Sequence, residues 1–104
     1  MTFPTTGWSN KGGTTGRACA CGTWAQHWKI FSKRPWPTGC SLLGCSSRPT
    51  VGRHLINTSV TGEQIAPLCD SCNKLSGTFA LKGGITVVSA NKAETCEKPA
   101  ARTV

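Results

Sequence analysis

The residues of this 104-residue chain best suited to chemistry are seven cysteines, Cys19, Cys21, Cys40, Cys45, Cys69, Cys72 and Cys96, and two histidines, His27 and His54. A disulfide framework calls for an even count and an oxidising compartment, and the count here is odd. No basic segment followed by an apolar stretch opens the chain, so an export signal is not expected. Metal binding accounts for the spacings better. Cys19-x-Cys21 and Cys40-x4-Cys45 are close pairs that can bend around one ion, and Cys69-x-x-Cys72 lets the first turn of a helix offer two thiolates to one metal. Structural zinc takes four sulfur or nitrogen donors in a tetrahedron, so seven cysteines and one histidine suffice for two closed sites. The expectation is two structural Zn2+ ions, one on Cys19, Cys21, His27 and Cys96 and one on Cys40, Cys45, Cys69 and Cys72.

These donors must be positioned by local elements. Residues 23–31 read as a short helix with Thr23 as N-cap and Gln26 at the capping-box spacing. Trp24, His27, Trp28 and Phe31 follow the i, i+3, i+4, i+7 pattern, so His27 points inward beside Cys21. His54 is the alternative donor, and using it would remove it from any other role. Lys33, Arg34 and Pro35 end the helix, since the residue before a proline avoids helical geometry. Residues 38–45 form a knuckle, with Gly39 and Gly44 where the chain turns tightly. Residues 50–56 and 64–68 read as the strands of a β-hairpin joined by a loop over 57–62, and a helix is predicted from Cys69 to near Gly77. Residues 78–82 and 85–89 read as a second hairpin around Gly83 and Gly84. The fold class is therefore α+β: a small zinc-stapled treble clef (knuckle, β-hairpin, helix) with an extra N-terminal helix and a C-terminal β-hairpin. Residues 1–17 are expected to be a flexible lead-in, 18–96 a single zinc-binding domain with the treble clef at about 38–77, and 97–104 a tail.

The segments Val51-Gly52-Arg53-His54 and Pro67-Leu68-Cys69-Asp70-Ser71-Cys72-Asn73 resemble the zinc-containing branch of the HNH endonucleases. In that family a β-hairpin and a helix hold a divalent metal against a scissile phosphate. By position, His54 matches the general base, Asn73 the last motif residue, and Gln64 the place, five residues before Cys69, where an Asn is usual. The resemblance covers residues 40–77 and implies a Mg2+-type or other divalent cofactor if the chain is catalytic. Arg53 stands where the family carries an Asp or His for that metal. The structural alternative for His54 is an imidazole packed on a hairpin strand. The remainder is similar to small bacterial and phage proteins with a Gly-x-His strand and a Ser-Ala-Asn segment before a final Cys.

Charge sets the class of partner. Lys11, Arg17, Lys29, Lys33, Arg34, Arg48 and Arg53 precede Glu63, the first acid, and the whole chain carries a formal net charge of +8. A one-signed field of this kind favours phosphate polyanions. The expected function is nucleic-acid binding, DNA before RNA, through Lys29, Lys33, Arg34, Arg48 and Arg53. The alternatives are an HNH-type metal-dependent endonuclease using His54, and a phage-encoded inhibitor that binds a host protein. No apolar run approaches the roughly 18 residues of a membrane span, and a cytoplasmic location in a bacterial or phage-infected cell is expected. Four acids, at Glu63, Asp70, Glu94 and Glu97, leave little material for a catalytic carboxylate pair.

Overall fold

The computed structural model describes residues 3–12 and 22–91. It is a small α+β structure in which β1 (Trp8–Asn10), α1 (Trp24–Ser32), β2 (Val51–Asn57), β3 (Val60–Leu68), α2 (Asp70–Asn73), β4 (Thr78–Phe79) and β5 (Val88–Ser89) follow one another along the chain. The strands form one antiparallel sheet in the order β4-β1-β2-β3-β5.

Helix α1 starts as its residues dictate. Thr23 is extended and its Oγ1 accepts the Gln26 N–H at 3.1 Å, covering one of the donors a helix start leaves over. The helix stops at Lys33, in the left-handed conformation with φ of 59°, whose N–H closes onto Lys29 O at 3.1 Å. Its inner face buries His27 and Trp28 and half-buries Trp24, while Phe31 lies at the rim, 37% exposed. The β2–β3 hairpin is tighter than expected. Val60 already pairs with Asn57, so the loop expected over 57–62 reduces to a turn at Thr58 and Ser59. Asn57 Oδ1 accepts the Ser59 N–H at 2.9 Å, a local bond that substitutes for a longer loop.

Side chains alternate across a strand, and the alternation divides this sheet into two faces. One face gathers Trp8, Leu55, Ala66 and Leu68 with Cys40, Leu42, Cys69, Cys72 and Leu81. The other packs Ile65 and Val88 against Trp28 of α1, with Trp24 and Trp36 at the margin. Gly52 is the point where α1 sits down on β2: a Cβ built there would lie 2.7 Å from the Trp24 carbonyl carbon and oxygen and 2.8 Å from Ala25 N. Those atoms are helix backbone and cannot swing aside. Gly52→Ala is therefore expected to cost about 1–3 kcal/mol as α1 is forced off the sheet. Urea denaturation with the metal loaded measures this; an unchanged midpoint would mean that the helix is not seated there.

Three elements differ from expectation. Residues 8–10, placed in a flexible lead-in, form a strand between β2 and β4, because Trp8 is fully buried and its Nε1–H donates to Pro4 O at 2.8 Å. The second hairpin does not form. β4 pairs with β1 and β5 pairs with β3, at opposite edges of the sheet, while Leu81 between them bridges to Leu42. Each arm covers an otherwise open strand edge and so adds more than the short hairpin would. The second helix is a single turn, Asp70–Asn73, and does not run on toward Gly77. Leu75 beyond it is exposed, so no apolar face would hold further turns, and its carbonyl is taken by Asn10. Among the described residues no helix is long and apolar enough to cross a membrane.

Candidate metal centre

Four cysteines from two places in the chain meet under the first face of the sheet. Cys40 and Cys45 lie on the knuckle. Cys40 N–H donates to Ser47 O at 2.8 Å and Cys45 N–H to Leu42 O at 3.1 Å, so the loop closes on itself, with Gly44 at φ of 83° supplying a left-handed turn. Cys69 is the N-cap of α2, and Cys72 sits in its single turn. The backbone points at the sulfurs: the Cys69 N–H donates to Cys40 Sγ at 3.4 Å and the Cys72 N–H to Cys69 Sγ at 3.5 Å. The α2 turn is held in turn by Asn10, whose Nδ2 donates to Cys72 O at 3.0 Å and Leu75 O at 2.9 Å.

The geometry is that of a chelate. The four sulfurs all lie within 4.8 Å of one another, and Cys45 Sγ is 3.7 Å from both Cys69 Sγ and Cys72 Sγ. A disulfide needs about 2.05 Å, so these are not bonded pairs. Four sulfurs at about 2.3 Å from a common centre in a tetrahedron are separated by about 3.8 Å; the two separations from Cys45 match this, and the whole set stays within 4.8 Å. Cys40, Cys69 and Cys72 are buried and Cys45 is half-buried. Such a set can hold a metal ion such as zinc.

The proton balance points the same way. Burial pushes the Cys40 thiol up. Cys72 is pushed up strongly, first by burial and then by the neighbouring sulfurs of Cys69, Cys45 and Cys40. Cys45 instead falls to about 7, chiefly through a hydrogen bond from the backbone at Ser47. Cys40 and Cys72 therefore keep their protons when no cation is near, and a divalent ion supplies the positive charge that lets them ionise.

No family model, curated protein or solved structure matches this chain. The chemistry of the site therefore rests on its own geometry.

The other expected donors are placed as follows. Cys19, Cys21 and Cys96 lie outside the described residues. His27 is fully buried on α1 between the rings of Trp24 and Phe31, at centroid separations of 4.9 and 5.0 Å. Its Nε2 lies 2.9 Å from Ser89 O. A carbonyl only accepts, so Nε2 carries the proton and Nδ1 is the lone-pair nitrogen of the neutral ring. Burial holds the His27 pKa below its usual value, against the opposing pull of that carbonyl.

The residues carried over from the HNH resemblance do not converge. His54 is 3% exposed, on the α1 side of β2, with its ring 4.4 Å from that of Trp24. Its cross-strand partner is Ile65, whereas Gln64 pairs with Leu55 and so lies on the opposite face. Asn73 is on α2, beneath that opposite face, with its Oδ1 buried and without a partner among the described residues. The sheet thus stands between His54 and the other two. The residue of β2 next to His54 that faces α2 is Arg53, whose Nε donates to Asn10 Oδ1 at 3.2 Å.

Arg53 accordingly differs from the rest of the expected nucleic-acid-binding set. It is half-buried and engaged with β1, while Lys29, Lys33, Arg34 and Arg48 are exposed. Asn10 is the residue that sequence reasoning missed. It connects Arg53, β1 and the α2 turn that carries Cys72, and nothing in its local sequence distinguishes it from a polar residue of a lead-in.

Proposed function

We propose that this chain is a zinc-stapled, basic nucleic-acid-binding protein of treble-clef type and HNH-like descent, which holds DNA by its phosphates. The observation that carries the zinc part is the meeting of Cys40 and Cys45 on a knuckle with Cys69 and Cys72 at the head of a short helix, across the β2–β3 hairpin. Zinc is favoured among divalent ions because four thiolates at tetrahedral spacing are its usual structural ligand set. A second zinc on Cys19, Cys21, His27 and Cys96 belongs to the same reading. It is supported by the His27 tautomer, since a ligating histidine commonly donates its other N–H to a carbonyl.

The nucleic-acid part is supported by the acid-free stretch before Glu63 and by exposed cations at Lys29, Lys33, Arg34 and Arg48. Cleavage by His54 is left out of this reading because the sheet separates its imidazole from Gln64 and Asn73. Fluorescence anisotropy with labelled DNA and RNA strands at two salt concentrations tests the proposal. Binding is expected at low salt and is expected to fall steeply as salt rises, with DNA favoured. Each phosphate neutralised contributes roughly 0.7–0.9 to the log–log slope. Absence of binding at low salt would overturn it.

A further inference from the structure

The strongest unassigned feature lies between α1 and the knuckle, with Thr38 and Ser41 of the knuckle in its wall. A cavity of about 420 Å3 opens between the end of α1, the proline-rich segment after it and the turn at Gly84. That volume is within the ~300–1,000 Å3 of ordinary small-ligand clefts. Its walls are mainly flat and apolar, with Trp28, Trp36, Pro67 and Ile85, and Arg34 stands among them. A second cavity of about 500 Å3 adjoins it. The two share Arg34, Gly84, Ile85 and Thr86, and the second adds Lys82.

The indoles are held in place and not merely adjacent. Trp28 Nε1–H donates to Thr86 O at 2.9 Å and Trp36 Nε1–H to Pro49 O at 3.0 Å. Their rings meet edge to face, 5.7 Å apart at 88°. Trp28 is itself buried, so the half-buried Trp36, backed by Trp28, presents the apolar ring surface that the cavity meets. Ser41, on the cavity wall, has a buried Oγ with no partner among the described residues. A hydroxyl left so costs free energy unless something bonds to it.

We propose that this pair of cavities receives one unpaired nucleotide of a single strand. Its base lies against Trp36, which Trp28 holds from behind, and its phosphate sits at the border, between Arg34 and Lys82. The inference rests on the nucleic-acid reading above and specifies it. A flat, largely apolar recess beside a basic border suits a base joined to a phosphate, and a π-face on any base makes such a recess tolerant of sequence.

The test compares three probes at low salt: a short oligothymidylate, the same backbone carrying abasic residues, and a duplex of equal length. The zinc-loaded protein is expected to bind the base-bearing strand roughly 5- to 100-fold more tightly than the abasic one, with tryptophan fluorescence quenched only by the former. Arg34→Ala is expected to weaken both single strands. Trp36→Phe, which keeps an aromatic wall, is expected to retain zinc and to reduce the quenching. Equal affinity for base-bearing and abasic strands with unquenched tryptophan would overturn the pocket while leaving phosphate binding intact. Preference for the duplex would overturn it equally. Failure of all three probes to bind would remove the nucleic-acid reading itself.

Discussion

Replacing Cys72 by serine is expected to remove one zinc ion and the cooperative fold together. Cys72 is buried, its sulfur is 3.7 Å from that of Cys45, and its backbone N–H supports Cys69. A serine oxygen is a poor ligand at a sulfur position, and the remaining three thiols would be left crowded without a cation. Structural zinc contributes about 10–16 kcal/mol of apparent binding energy in small domains, against a total stability of about 5–15 kcal/mol. The balance leaves little margin for folding without the metal. The wild-type chain is expected to return about two zinc ions and Cys72→Ser no more than one, since loss of the fold also separates the donors of the other proposed site. Loss of the sigmoidal thermal transition by circular dichroism should accompany the loss of metal, and a chelator should reproduce it. Ser71→Ala, at an exposed neighbouring position, is the control and should change neither.

The pH dependence follows from the same protons. Cys40 and Cys72 are pushed up in the metal-free chain, so loading zinc must release protons, and acidification must favour metal loss. Full zinc content and a wild-type melting curve in Cys72→Ser would refute the four-cysteine centre outright.

Trp8→Ala is the second large effect, and it falls in a segment that the amino-acid sequence reads as a flexible lead-in. If residues 1–17 were a loose lead-in, the substitution would be worth no more than about 0.5 kcal/mol, as at other exposed positions. Trp8 is instead fully buried, is hydrogen-bonded to Pro4 O, meets Phe3 edge to face at 6.5 Å, and pairs with both Asn57 and Phe79. Removing an indole from such a place costs about 3–5 kcal/mol. At about 4–8 °C per kcal/mol for a domain of this size, the melting temperature should fall by roughly 12 °C or more. The effect should extend to the metal turn, because Asn10 of the same strand holds the Cys72 and Leu75 carbonyls. Thermal melts of zinc-saturated wild type and Trp8→Ala decide the matter, and a shift of only a degree or two would return this segment to the status of a tail.

What the residues determine without the tertiary structure is local. The Cys40–Cys45 knuckle and the Cys69–Cys72 turn were legible because chelation by near neighbours restricts the number of residues between ligands. Helix α1 was legible because Thr23 and Gln26 form a cap and the aromatic stripe has helical period. The β2–β3 hairpin was legible from its apolar runs, though not its turn, since an Asn57 side-chain bond shortened the loop.

The rest required long-range competition that no window of sequence contains. Strand β1 is three residues long, too short to display a period. The segments around Gly83 and Gly84 carry a good hairpin signal, yet each arm is worth more on a sheet edge than against the other. Parity along the strands also sets which residues of the HNH resemblance share a face. His54 and Arg53 are adjacent in sequence and face opposite sides of the sheet, and register sets Gln64 across from Leu55, not from His54. The amino-acid sequence by itself therefore determined the donor chemistry, the charge asymmetry and the elements that local bonds can hold. Only the tertiary structure decided which of those residues share a face, because that depends on strand register and edge pairing, and both are settled by the packing of the whole sheet.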